Sequence, residues 1–189
     1  PIRAVEYFDT FFEKPWREMY AGKLFRVTDM PVSYLPQLFV LKLPEILLVL
    51  GLAGTAGSLI AVCSHNLPLT RRANLLLVTT SAFVPVVVAT LTHPALYNGL
   101  RHFVFVVPPF AVLGGLAGAW MFDRAKAFGP WTIAALIAVS IGGGAFPISG
   151  MGRLHPYQYK ALHWAAGRGP MAEGRYMLDY LGPAFKQAG

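Results

Sequence analysis

The sequence predicts an all-α membrane protein: about four transmembrane helices joined by short loops, with polar segments at both ends. Three observations carry this. Four long apolar stretches, Leu43–Val62, Ala73–Leu91, Phe103–Phe122 and Trp131–Ile148, each have about the length a helix needs to cross ~30 Å of hydrocarbon at 1.5 Å per residue. None has a formal charge at its centre. Charged residues make up 13 % of the chain and hydrophobic ones 55 %, whereas soluble domains carry about 25 % charged residues.

Residues 1–35 read as an extramembrane or interfacial segment. FDTFFEKPWREMY (Phe8–Tyr20) interleaves aromatics with charges, a composition that suits the headgroup layer. The chain opens at Pro1 without a signal-peptide pattern, and its first 40 residues read like the middle of a longer protein. Val32–Leu41 is apolar but too short to span, so it is expected as an interfacial helix or a lead-in to the first span. Residues 36–148 form the four-helix membrane region. Pro44 followed by Glu45 marks a helix start, with proline at the first position and a carboxylate at the positive end of the dipole.

Pro85 in the second span and Pro108-Pro109 in the third predict bends. Ala53, Gly54, Gly57 and Ser58 in the first span, Gly114 and Gly118 in the third, and Ser140 and Gly144 in the fourth predict close helix packing. Cys63, the sole cysteine, allows no internal disulfide and reads as a small packing residue. Residues 149–189 form a basic, aromatic extramembrane segment.

Arg71, Arg72, Arg124 and Lys126 follow the first and third spans, whereas Arg101 alone follows the second. The loops therefore predict a cytoplasmic, outer, cytoplasmic order with both tails outside. The basic tails oppose that orientation if their charges are counted in full. The net charge of +7 lies mostly outside the spans, which favours anionic lipids as partners over nucleic acid, for which no fold signature is present.

Two clusters have the residue types for phosphate chemistry. The first is Tyr97, Arg101 and His102, just before the third span. Arginine forks onto phosphate and keeps its charge at any pH; equally, Arg101 reads as an interfacial anchor that snorkels to headgroups. The second is Arg153, His155, Tyr157 and Tyr159, which also reads as an ordinary amphipathic juxtamembrane segment. Glu173, Arg175, Asp179 and Tyr180 make a further polar patch. The histidines match no compact metal spacing, and no histidine sits mid-span for a tetrapyrrole, so the sequence implies neither metal nor cofactor. No catalytic triad, carboxylate dyad or glycine-rich phosphate loop is recognisable.

DMPVSYLPQLFVLKLPE (Asp29–Glu45), LYNGLRHFVFVVPP (Leu96–Pro109) and RLHPYQY…GRYMLDYLG (Arg153–Gly182) occur in this order. Together they resemble the C-terminal half of bacterial family 39-type glycosyltransferases of the GT-C architecture, relatives of protein O-mannosyltransferases and of the lipid A aminoarabinose transferase. The resemblance covers most of the chain. It implies a bacterial inner-membrane protein with periplasmic tails that takes a sugar from a polyprenyl-phosphate carrier on the non-cytoplasmic side. It departs where HPYQYKALHW (His155–Trp164) replaces the family's HPYxYVYFN, and where DYLG (Asp179–Gly182) replaces DYWG. The family's catalytic carboxylate belongs to a first outer loop with no counterpart in this sequence. Glu6, Asp9 and Glu13 do not follow its motif. The resemblance thus assigns no catalytic residue here and implies that this chain alone does not turn over substrate. Tyr97, Arg101, His102, Arg153, His155, Tyr157 and Tyr159 are the expected contacts to lipid phosphate or sugar. A non-catalytic transmembrane subunit, with its spans packed on partner chains, is the alternative.

Overall fold

The computed structural model describes residues 17–64, 66–94, 96 and 99–153. The first described elements form a small antiparallel hairpin, β1 (Arg17–Tyr20) and β2 (Lys23–Arg26). Its two-residue turn, Ala21-Gly22, has positive φ at both positions, 50° and 81°, as the hairpin turn that follows natural strand twist requires. Glycine adopts this freely, whereas Ala21 does so at a steric cost. The hairpin is the departure from an all-helical chain. Four-residue strands joined by Ala-Gly give almost no periodic signal in the sequence.

A short 3-10 turn (Val27–Asp29) leads into α1 (Tyr34–Lys42), a helix over the short apolar run expected as interfacial or as a lead-in to the first span. Pro36 sits in its first turn, where a missing N–H costs nothing. The spans follow: α2 (Glu45–Cys63), α3 (Leu69–Thr92), a 3-10 segment (Gly99–Val106) continuous with α4 (Val107–Lys126), and α5 (Pro130–Arg153). All four are long and apolar enough to cross a membrane, and the chain is an integral membrane protein.

Proline marks the start of every span. Pro44 and Pro68 are N-caps, Pro108 and Pro109 lie in the first turn of α4, and Pro130 opens α5. Two expectations change accordingly. Pro44 caps α2 one residue before its first turn. Pro108-Pro109 lies not deep in a uniform α-helix but where the 3-10 segment hands over to α4 within one continuous helix, Leu100–Lys126. Pro85 does lie inside α3, and so does Pro147 inside α5.

α2 and α4 run parallel and touch through glycine. A Cβ on Gly54 would fall on the Leu113 carbonyl, one on Gly51 on the Phe110 ring, and one on Gly114 would lie 3.3 Å from the Gly51 nitrogen. The buried residues of α2 are Gly51, Gly54 and Ser58, so the expected Gly54–Ser58 pair packs, whereas Ala53 and Gly57 are exposed and Gly51 takes part in their place. Gly57 and Gly118 have open space beside them. α3 closes the other side, with Ala82 and Phe83 against Phe110 and Leu113. Leu113 is fully buried.

α5 returns alongside after a tight turn at Gly129, φ 102°. It meets α2 through Gly143, where a Cβ would lie 2.8 Å from Ile46 Cδ1. Gly144 and Ser140, the pair expected to pack, are not at that contact: Gly144 has nothing nearby and Ser140 is exposed. Cys63 is also exposed, on the last turn of α2, and does not pack.

Candidate functional site

The hairpin, α1, the end of α3 and the 3-10 segment all gather at one end of the bundle. Tyr20, Met30, Tyr34 and Leu38 form one buried cluster there, with Phe25, Leu96 and Leu100 against it. Leu35, Ala89, Phe103 and Val106 form a second. The three-residue period of the 3-10 helix explains the display. Phe103 and Val106 turn inward, while Arg101, His102, Val104 and Phe105 are exposed. Val104 and Phe105 each leave 60 % of their surface open. A guanidinium and an imidazole thus stand beside apolar surface at the edge of a membrane-spanning bundle. Such a pairing suits an amphiphile with an anionic head.

The tight turn before α5 brings Arg153, its last residue, back toward this end. His93 caps α3 in the left-handed conformation, φ 47°, and its N–H donates to the Ala89 carbonyl at 3.1 Å. Between the start of α1 and the end of α3 lies a hollow of about 20 Å³ lined by Met30, Tyr34, Thr90 and His93. It has room for a water molecule, not for a sugar. Tyr97, His155, Tyr157 and Tyr159 lie outside the described residues, as does the Glu173–Tyr180 patch. Of the expected contacts, the structure therefore describes Arg101 and His102, together with the backbone of Arg153.

A polar cluster that sequence reasoning missed underlies this end. The Tyr34 hydroxyl donates to Glu18 Oε1 at 2.6 Å, and both residues are buried. The Tyr20 hydroxyl lies 3.0 Å from Ser33 Oγ and also bonds Gln37. Burial, with the Glu18 carboxylate beside it, holds the Tyr34 phenol well above its ordinary range, so it stays a donor. Burial pushes the Lys42 ammonium down. The pairing of Glu18 with Tyr34 depends on the hairpin turn. Neither residue type nor sequence spacing reveals it.

At the opposite end the cations serve the helices themselves. Arg72 Nε donates to the Val62 carbonyl at 2.7 Å, satisfying an open carbonyl in the last turn of α2. Arg124 covers the Trp120 ring, and Lys126 pairs with Asp123 at 2.7 Å. Among the described residues no group of three His, Cys, Asp or Glu is placed to hold a metal ion. Comparison with family models, with curated proteins and with solved structures finds no match.

Proposed function

We propose that this chain is a membrane portion of a glycosyltransferase that moves a sugar from a polyprenyl-phosphate carrier to an acceptor on the non-cytoplasmic side of a bacterial inner membrane. The observation that carries the proposal is the exposed face of the 3-10 segment, where Arg101 and His102 stand next to Val104 and Phe105. The three sequence motifs of the glycosyltransferase resemblance add to it. In such a reaction a carboxylate takes the proton of the acceptor hydroxyl. The acceptor oxygen attacks the anomeric carbon, and the bond from that carbon to the carrier phosphate breaks. Negative charge builds on the departing polyprenyl phosphate. Arg101 and His102 are assigned to offset that charge where water is scarce. Arg153, His155, Tyr97, Tyr157 and Tyr159 are assigned to the wall around the sugar and phosphate.

A partly desolvated arginine–phosphate contact contributes about 1.5–3 kcal/mol. Arg101→Ala is therefore expected to weaken binding of polyprenyl phosphate by roughly tenfold to a hundredfold. Arg101→Lys should restore part of it, since lysine keeps the charge and loses the fork. Equal affinity of all three forms would leave Arg101 as an interfacial anchor and remove the proposal's main support.

α5 favours a second reading, a non-catalytic transmembrane subunit. None of its described side chains is buried inside this chain, so the face turned away from Ile46 is open to a partner helix. Cross-linking from Ile137 or Ile141 to another protein, with unchanged carrier affinity in Arg101→Ala, would support that reading.

A further inference from the structure

The hairpin has a face that sugar transfer does not use. Arg17 and Arg26 are direct cross-strand partners, and so are Met19 and Leu24. Strand alternation puts these four residues on one side and Glu18 and Tyr20 on the other, against α1. Both arginines are exposed, and Leu24 leaves 61 % of its surface open. Among the described residues neither arginine has a carboxylate within ion-pair distance. Like charges directly opposite one another destabilise a strand pair. This pair therefore disfavours the hairpin unless an anion lies between the two guanidiniums. Lys23, the cross-strand partner of Tyr20, belongs to the other side, and the exposed Asp29 carboxylate accepts from Thr28 at 3.1 Å.

The chain also fixes the height of this face. Only Leu43 and Pro44 separate α1 from α2. The 19 residues of α2 measure roughly 28 Å at 1.5 Å each, close to the thickness of the hydrocarbon core. Glu45 thus marks the edge of the hydrocarbon, and α1 with the hairpin upon it occupies the headgroup layer.

We infer that the outer face of the hairpin docks on an anionic phospholipid surface. The Arg17–Arg26 pair forks onto headgroup phosphates, and Met19 and Leu24 enter the boundary of the acyl region. The charge complement, the apolar pair beside it and the height set by α2 each point to the same occupant. The inference holds whether or not the chain transfers a sugar.

The test places a nitroxide on Leu24→Cys in the otherwise intact chain carrying Cys63→Ser. The protein is reconstituted in nanodiscs of phosphatidylcholine alone or mixed with phosphatidylglycerol. With phosphatidylglycerol present, collisions with oxygen should rise and those with a water-soluble nickel chelate should fall. Replacing either arginine by glutamine should lower the ratio of docked to undocked label about fivefold. The double variant Arg17→Gln/Arg26→Gln should lose the response to phosphatidylglycerol. The comparison of the two lipids uses the native arginines, so it stands even where a variant misfolds. Equal accessibility in both lipids would overturn the inference. So would a response retained by a folded double variant, or full protection in neutral detergent, which would mark a protein segment as the occupant.

Discussion

Where α2 meets α4, the sequence contributes the absence of side chains; where the hairpin meets α1, it contributes a carboxylate, an amide and hydroxyls. The difference follows from the surroundings. In hydrocarbon, a leucine gains nothing by leaving lipid for protein, so helices associate by close backbone approach, which Gly51, Gly54 and Gly114 permit. At the level of the hairpin, water competes for every polar group. There the contact combines apolar burial of Tyr20, Met30 and Leu38 with the Glu18–Tyr34 hydrogen bond. One chain thus uses two kinds of adhesive, each suited to its depth.

The comparison can be broken from either side. The largest effect is expected at Gly54, because the obstacle to a side chain there is the Leu113 backbone and no rotamer change relieves it. Gly54→Ala should cost about 3 kcal/mol in reversible unfolding in mixed micelles. Glu18→Ala should cost about 2 kcal/mol, since it strands the buried Tyr34 hydroxyl. Its signature is local: hydrogen exchange should accelerate in β1, β2 and α1 while the spans stay protected.

The pH dependence of the hairpin sharpens the contrast. The folded phenol of Tyr34 holds its proton far above its ordinary value. Its contribution is therefore complete below about pH 10 and declines above that, as the unfolded segment releases a proton that the folded one keeps. The slope is about 1.4 kcal/mol per pH unit. Hydrogen exchange or proteolysis of the hairpin should show it, and Tyr34→Phe should flatten it. The α2–α4 contact contains no titrating group and should show no such slope. The smallest effect is expected at Gly57 and Gly118, which have open space beside them. Alanine at either should leave stability unchanged or raise it by up to about 1 kcal/mol. A large loss there would mean that those glycines meet a neighbouring chain.

The four spans were legible because a run of apolar residues some twenty long has no other solution in water or lipid. Their ends were legible only in part: the sequence marks a start at Pro44, but Pro68 and Pro130 open α3 and α5 without having stood out, and Pro108-Pro109 reads as a bend inside a span. The register of contact was not. Gly54 and Gly57 are equivalent as letters, and which of them touches α4 depends on how α2 is rotated, which side chains such as Leu113 and Phe110 decide. At the candidate site, Arg101 and His102 were visible from residue type and position. Glu18 was not, because its partner Tyr34 comes to it only through the turn at Ala21-Gly22. The four-residue strands have little pattern of their own.

The parallel α2–α4 contact has a consequence in time. Leu113 emerges from the ribosome about sixty residues after Gly54, which at ~5–20 residues per second is about 3–12 s. Throughout that interval the glycine groove of α2 is without the helix that fills it in the finished fold. Whatever lies against the groove first, lipid or protein, must be displaced when α4 arrives. α2 is the most apolar of the four spans, so it depends least on α4 for its place in the bilayer, and its composition suits that delay as well as the finished fold.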